Sequence, residues 1–488
     1  MDSPNSVNSL NHTAMQLLQQ LYESWAGEPC LECLALGANG SNRRYYRLVG
    51  AHAACIGAIN NDVRENEAFY AFSRHLRGKG IAVPELYAVS PDRTRYLQQD
   101  LGDQTLYNLL LDNRRQGRGL DAPVLNLYRQ ALTDLAAIHL AGADADFSVA
   151  YPRQAFDRQS ILWDLNYFKY FFLKLVHVPF DEQRLEDDFN RLADLLLQAD
   201  CNYFMYRDFN PRNIMVAERL YYIDYQGARR GAAQYDVASL LYSAKSDLPE
   251  ALRLDLLGHY LAARGIKGSD KQLWMSHFWS YVLVRILQAM GAYGYRGLFE
   301  RKPYFIESIP LAINNLRNIL DSHPLPVDLP ELMAACRRVT QMAVGTSTTA
   351  PGNVPNTAPL TVSVLSFSYK QGLPTDPSGN GGGFIFDCRA LPNPGRYPEY
   401  KAITGRDRPV IEFLQREPAV DHFLSHAKGL VAQSVEKYIE RRFTSLQVAF
   451  GCTGGQHRSV YCAEQLAAWI AATYPDCRVD LHHREQDK

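Results

Sequence analysis

At 488 residues the chain is too long for one ordinary domain, and roughly 150 residues per domain suggests about three units. Hydrophobic residues at 47% and charged residues at 21% exclude wholesale disorder, a collagen-like repeat and a coiled coil. With 51 Lys and Arg against 52 Asp and Glu, the net charge of −1 gives no global electrostatic case for nucleic acid or an anionic membrane, so any electrostatic binding is local.

In chain order, the polar stretch Met1 to His12 lacks the basic and apolar regions of a signal peptide. A helix is predicted over Ala14–Trp25, followed by short strands near Leu31–Gly37, Arg44–Val49 and Ala53–Ile59. A helix from Glu65 to Arg77 stops at Gly78 and Gly80, and two more strands are predicted at Ala82–Tyr87 and Thr94–Gln99. Beyond Gly102 the pattern is helical over Leu125–Leu140, Gln159–Val176 and Asp181–Gln198, then strand-turn-strand over Tyr203–Tyr225, then helical through Arg337. The most apolar stretch, Ile161 to Phe180, contains Asp164, Lys169 and Lys174 and is unsuited to spanning a bilayer. Nine scattered Cys fit a reduced compartment, and Cys30-Leu-Glu-Cys33 is a lone pair with no partner pair for a metal. The expected localisation is cytoplasmic.

The clearest boundary is Ala343 to Leu360, where 15 of 18 residues are Gly, Ala, Ser, Thr, Asn or Pro and none is charged or aromatic. Such a segment buries too little apolar surface to order itself and reads as a flexible linker. The expected division is an N-terminal helical extension over 1–27, a bilobal unit over 28–342, the linker over 343–360, and a smaller α/β domain over 361–488. Within the bilobal unit, a strand-rich lobe over about 28–103 precedes an α-rich lobe over about 104–342, an α+β arrangement.

The string Tyr206-Arg207-Asp208-Phe209-Asn210-Pro211-Arg212-Asn213 is followed eleven residues later by Asp224-Tyr225-Gln226, after the strand-like Leu220–Ile223. In a kinase-type site one Asp orients and deprotonates the acceptor hydroxyl, while an Asn five residues on and a second Asp hold Mg²⁺ on the phosphates of ATP. That spacing puts Asp208 and Asn213 on one loop and lets the returning strand bring Asp224 beside them, so oxygen ligands converge on a hard cation. These residues resemble the catalytic loop and metal-binding Asp of the aminoglycoside phosphotransferase and choline kinase superfamily, a branch of the protein-kinase fold. With Tyr235-Asp236-Val237-Ala238-Ser239-Leu240, they look closest to kinases acting on the anomeric hydroxyl of N-acetylmuramate or N-acetylglucosamine in cell-wall recycling. The resemblance covers about residues 28 to 330 and implies Asp208 as catalytic base, Asn213 and Asp224 as Mg²⁺ ligands, and a structural Asp236.

Two departures stand out. Tyr206 occupies the position where the family usually has His, and the strand Ala53–Ile59 lacks the phosphate-pairing lysine. The nearest cations are Arg43, Arg44, Arg47 and Arg64, with Glu65 or Glu67 as a helix carboxylate for one of them to pair with. The Gly37–Asn42 turn offers backbone N–H groups, with Asn39, Gly40 and Ser41 as candidate phosphate contacts. Gln99 and Leu101 fall where the lobes join and are the candidate adenine hinge. Trp163 and Tyr167, in an aromatic cluster, are candidate sugar-stacking residues, although such clusters commonly form core.

Near the C-terminus, the strand Leu446–Phe450 runs into Gly451-Cys452-Thr453-Gly454-Gly455-Gln456-His457-Arg458-Ser459 and a helix over Val460–Ala472. A Gly-rich turn at a helix N-terminus presents N–H groups and a positive dipole end to an anion. The run also reads Cys-x₅-Arg, a pattern of phosphatases that use a thiolate. Together with Phe386-Asp387-Cys388-Arg389 and Thr404-Gly405-Arg406-Asp407, it resembles the RapZ C-terminal domain over about residues 361 to 485. That resemblance implies an amino-sugar phosphate ligand met by Thr453, Gly454, His457 and Arg458, with Asp387 and Arg389 nearby, and RNA as a further possible partner. Gly395 stands where the family commonly has His. Against RNA, the block carries 10 Arg and 5 Lys against 14 Asp and Glu, and its last seven residues are nearly balanced. The two resemblances lead us to expect a sugar kinase with a tethered phosphosugar-binding domain. The alternative is a non-catalytic nucleotide or phosphosugar sensor or an RNA-binding adaptor.

Overall fold

The computed structural model describes residues 4–37, 43–342, 359–374, 376 and 383–486. Its contacts divide the chain into two compact units, Met1–Val344 and Gly345–Lys488. The candidate phosphate contacts Asn39, Gly40 and Ser41 lie outside the described residues, as does 343–358 of the linker segment.

The first unit opens with α1 (Pro4–Ala26), followed by strands β1 (Glu32–Ala35), β2 (Arg44–Val49) and β3 (Ala54–Ile59), helix α2 (Val63–Gly78), and strands β4 (Leu86–Val89) and β5 (Arg95–Gln98). The five strands form one antiparallel sheet in the order β1-β2-β3-β5-β4. Strand β4 starts later than expected: Pro84 has no N–H for a ladder, and pairing with β5 begins at Leu86, with a register shift before Ala88. One face of the sheet is covered by α1, whose Leu18 and Tyr22 are buried against Leu48, Cys55, Ile59 and Leu97, while Trp25 stacks on Tyr87. Gly57 permits this approach, since a Cβ there would lie 2.8 Å from the Leu18 side chain. The segment expected as an extension is therefore built into the small lobe. On α2, Asp62 caps the amides of Arg64 and Glu65, which fixes Glu65 in the first turn.

The large lobe is helical: α3 (Leu106–Arg115), α4 (Ala122–Ala141), α5 (Arg158–Phe168), α6 (Glu182–Leu196), α7 (Ala233–Leu241), α8 (Glu250–Ala263), α9 (Gly268–Tyr293), α10 (Pro303–Ile306), α11 (Ser308–Ser322) and α12 (Pro330–Gln341). Between α6 and α7 run four three-residue strands, β6 (Tyr203–Met205), β7 (Ile214–Val216), β8 (Leu220–Tyr222) and β9 (Arg229–Gly231), paired β6 with β9 and β7 with β8. The helix expected through Val176 gives way after Phe168 to a π-helical turn, Lys169–Leu173. Here α5 crosses α9 at close range, because Gly291 lets the Tyr167–Phe168 backbone come within 2.9 Å of where a Cβ would stand.

The second unit has a four-stranded, all-parallel sheet in the order β11-β12-β10-β13, from β10 (Thr361–Ser368), β11 (Gly383–Asp387), β12 (Ser445–Cys452) and β13 (Arg478–His483). Helices α13 (Arg408–Gln415), α14 (Pro418–Glu440) and α15 (Arg458–Thr473) accompany it, with Val364, Val448, Val431 and Leu466 in its core. Among the described residues no helix is long and apolar enough to cross a membrane.

Candidate functional site

The loop after β6 is held by a buried carboxylate. Asp236, in the first turn of α7, accepts the backbone N–H of Tyr206 at 2.6 Å and of Arg207 at 2.9 Å, and lies 3.0 Å from His139 Nε2. Tyr206, at the position where His was expected, donates its hydroxyl to Ile223 O at 2.6 Å and so ties the loop to the strand leading into Asp224. Arg207 forks onto Asp164 at 2.7 and 3.0 Å. Both Arg207 (φ 79°) and Asp224 (φ 71°) adopt left-handed backbone conformations, strain of the kind that surrounding structure must hold in place.

This scaffold brings together the three residues singled out from the sequence. Asn213 Nδ2 donates to Asp208 O at 2.9 Å and to Asp224 Oδ2 at 3.1 Å, and Asp224 Oδ1 accepts from Gln226 at 2.7 Å. Burial pushes the Asp224 carboxyl above its usual range, and the nearby Asp208 charge adds to that. Two neighbouring carboxylates and an amide oxygen make a hard-oxygen donor set whose charge a divalent cation would relieve. The Asp208 side chain is half exposed and faces a cavity whose aromatic lining is Tyr242, Tyr293, Tyr304 and Phe305. Its Oδ1 lies 3.7 Å from Arg285.

Trp163 and Tyr167 do not line that cavity. They sit on α5, where Tyr167 packs on Phe171 and Gly291, and Trp163 is 47% exposed with Arg153 over its ring. Close helix packing at Gly291 places Tyr167 against α9. The cavity walls from α9, α10 and α11 carried no motif and went unnoticed in the sequence.

The missing lysine has a candidate stand-in. Arg47 forks onto Asp100 and Asp103, Arg64 lies over Tyr151, and Glu67 is bridged by Arg93. Arg43 instead meets Glu65 of α2 at 3.3 Å, with Asn60 donating to the same carboxylate at 2.8 Å. The Arg43 charge also acts on Asp224, opposing the upward shift of its carboxyl. At the hinge, the Gln99 N–H is spent on Glu85 O at 2.8 Å, so Gln99 has only its carbonyl to offer there. Among the described residues the Leu101 backbone makes no hydrogen bond within the chain.

In the second unit a cavity at the N-terminus of α15 is lined by Thr453, Gly454, His457 and Arg458, together with Asn393, Gly395, Lys401, Cys452 and Gln456. His457 Nε2 is 2.8 Å from Tyr400 O, and its ring lies 3.3 Å from where a Cβ on Gly395 would stand. Arg458 Nη1 is occupied by the carbonyls of Arg389 and Leu391 at 2.8 and 3.0 Å, while its buried Nε has no partner among the described residues. The guanidinium is therefore partly structural, which leaves Arg458 fewer donors for a ligand and weakens a phosphatase cradle. Burial alone would push the Cys452 thiol up, but the Ser459 hydroxyl and the N–H groups of Ser459, Gly454 and Gly455 outweigh it and bring it below its ordinary value. Asp387 and Arg389 do not line this cavity. They form an exposed pair at 2.7 Å with Arg389 over Tyr369. Lys401 is a lining cation that sequence reading missed, because it sits in no motif.

Residues 32–270 match the phosphotransferase enzyme family and residues 360–487 match the RapZ C-terminal domain. A nucleotide-binding protein of Laribacter hongkongensis is 38% identical over 184 residues, 34% of this chain and 64% of that protein. One of Shewanella oneidensis is 47% identical over 127 residues, 26% of this chain and 42% of that one. The chain thus spans less than two thirds of the length of either relative. Among solved structures, an ethanolamine kinase of Plasmodium vivax matches at 12% identity with a TM-score of 0.43, over 59% of this chain and 82% of that one. The chain thus joins a stretch that matches the phosphotransferase enzyme family to one, built on a parallel sheet, that matches the RapZ C-terminal domain.

Proposed function

We propose that residues 28–342 form an ATP-dependent kinase that phosphorylates an amino sugar, at the anomeric hydroxyl of N-acetylmuramate or N-acetylglucosamine, and that residues 361–488 bind an amino-sugar phosphate as a regulatory domain. The observation that carries the reading is the Asp208–Asn213–Asp224 cluster on one braced loop, with Asp208 facing a cavity. Asp208 orients the acceptor hydroxyl and takes its proton as the oxygen attacks the γ-phosphorus and the bond to ADP breaks. Asn213 and Asp224 would hold Mg²⁺, which when bound neutralises phosphate charge. The hinge offers the Gln99 carbonyl and the Leu101 backbone to adenine, and residues 39–41 are proposed over the phosphates. We place the protein in the cytoplasm, with small molecules rather than RNA as its partners.

The test is ADP release with ATP and Mg²⁺ over a panel of amino sugars, with the product identified as a sugar 1-phosphate. Absence of turnover on every sugar would remove the substrate assignment. The lack of a lysine on β3 favours one second reading, a sensor that binds nucleotide or phosphosugar without transfer. Calorimetry beside the assay separates the two.

In the kinase reading, the Arg43–Glu65 pair does the work of the missing lysine by meeting ATP phosphate oxygens. Arg43→Met is expected to weaken ATP and ADP binding about 10-fold or more while leaving AMP binding nearly unchanged, and Arg43→Lys to retain most of the affinity. Equal weakening of AMP would show that the arginine merely supports the fold. For the second unit, titration with glucosamine 6-phosphate is expected to give saturable binding. Thr453→Val and Lys401→Met should each weaken it by about 10-fold, the loss of one hydrogen bond to a charged ligand. Unaltered binding in both variants would place the ligand elsewhere.

A further inference from the structure

The cavity beside Asp208 carries an unusual charge for a site that receives a hydroxyl compound. Of its seventeen lining residues, the one carboxylate is Asp208 itself, whereas Arg212 and Arg285 both reach it. Arg212 has no ion pair among the described residues, and the one carboxylate that Arg285 meets is Asp208. Arg212 lies over the Tyr304 ring at 4.6 Å and meets no carboxylate at ion-pair distance among the described residues. Arg285 is aimed by neutral groups, donating to Ser239 Oγ at 3.1 Å and to Gln288 Oε1, with Asp208 no nearer than 3.7 Å. The other lining polar groups, among them Asn210, Asn315 and Tyr242, are uncharged.

A cationic acceptor would meet two guanidinium groups here and no carboxylate apart from the base. An anionic substituent would find planar donors already desolvated and oriented by neutral partners, the arrangement that makes charge-assisted hydrogen bonds strong. We propose that the acceptor carries an anionic substituent, a carboxylate or a phosphate, held by Arg285 and Arg212 while its hydroxyl faces Asp208. This rests on the kinase reading above and narrows its substrate class. Arg285 is a specificity residue; the anionic group takes no part in bond making, and the proton still goes to Asp208.

The experiment compares kcat/KM for four acceptors: N-acetylmuramate (carboxylate), N-acetylglucosamine 6-phosphate (phosphate), N-acetylglucosamine (neutral) and glucosamine (cationic). At least one anionic sugar is expected to exceed the neutral one by about 10- to 100-fold, through KM, and which one does so identifies the anion. In Arg285→Gln that ratio is expected to collapse towards one, with partial recovery in Arg285→Lys, a readout that a merely structural role would not move. A neutral or cationic sugar matching the anionic ones, or a ratio untouched by Arg285→Gln, overturns the anion site and leaves the kinase standing. If no sugar turns over, the kinase reading falls and the inference with it.

Discussion

Asp208→Ala is expected to lower turnover on the preferred sugar by about 10²- to 10⁴-fold, the usual contribution of a positioned general base. The same change should barely alter stability. The Asp208 side chain is 52% exposed, and the bond that fixes its loop runs from Asn213 to the Asp208 backbone carbonyl, which alanine keeps. Surface substitutions of this kind stay within about 0.5 kcal/mol. The measurement is kcat together with ATP affinity by calorimetry. The base assignment requires kcat to collapse while nucleotide binding holds. A variant that keeps more than a tenth of the activity would show that Asp208 is not the base. Asp224→Asn provides a contrast, since Asp224 is the proposed metal ligand, and its loss should change the metal dependence as well as the rate.

How far each feature was legible depended on the range of the interactions that made it. The Asp208, Asn213 and Asp224 cluster was legible because it is local: one loop and one hairpin bring the three together, and spacing alone carries the geometry. The bond from Tyr206 to Ile223 O joins the same loop to the same hairpin. The Arg43–Glu65 pair was only a set of alternatives in the sequence, because choosing it needs the sheet and the docking of α2 onto it. The cavity beside Asp208 was invisible in the sequence. Arg285 and Tyr304 lie on helices far along the chain and belong to no motif, so only tertiary packing reveals them. An aromatic run looks the same in sequence whether it meets a sugar or a helix. For Tyr167 the packing depends on Gly291, more than a hundred residues away, where the absence of a side chain lets α5 and α9 touch. In the second unit the turn after β12 was legible as an anion cradle, while the partial diversion of Arg458 to the Arg389 and Leu391 carbonyls depends on a segment remote in sequence.

The largest stability effect is expected at Asp236, which touches none of the proposed substrates. Its carboxylate is fully buried and has three partners: the amides of Tyr206 and Arg207 and the ring of His139. Burial lowers the His139 titration although Asp236 opposes that shift, so the pair works as a buried hydrogen-bond network. In Asp236→Ala two buried amides and an imidazole lose their partner, and removing one member of such a buried cluster costs about 3–5 kcal/mol. At about 1.4 °C per kcal/mol for a unit of this length, the calorimetric transition of the N-terminal unit should fall by roughly 4–7 °C. Activity should fall further than stability alone explains, because the amides released are those that hold Asp208 in place. Asp236→Asn separates the two effects: it keeps the volume and one acceptor but turns an N–H toward an N–H, so most of the stability loss should remain. A transition shifted by less than about 2 °C in Asp236→Ala would mean that the catalytic loop is braced mainly by Tyr206 and Arg207 side chains, through Ile223 O and Asp164, and not by the buried carboxylate.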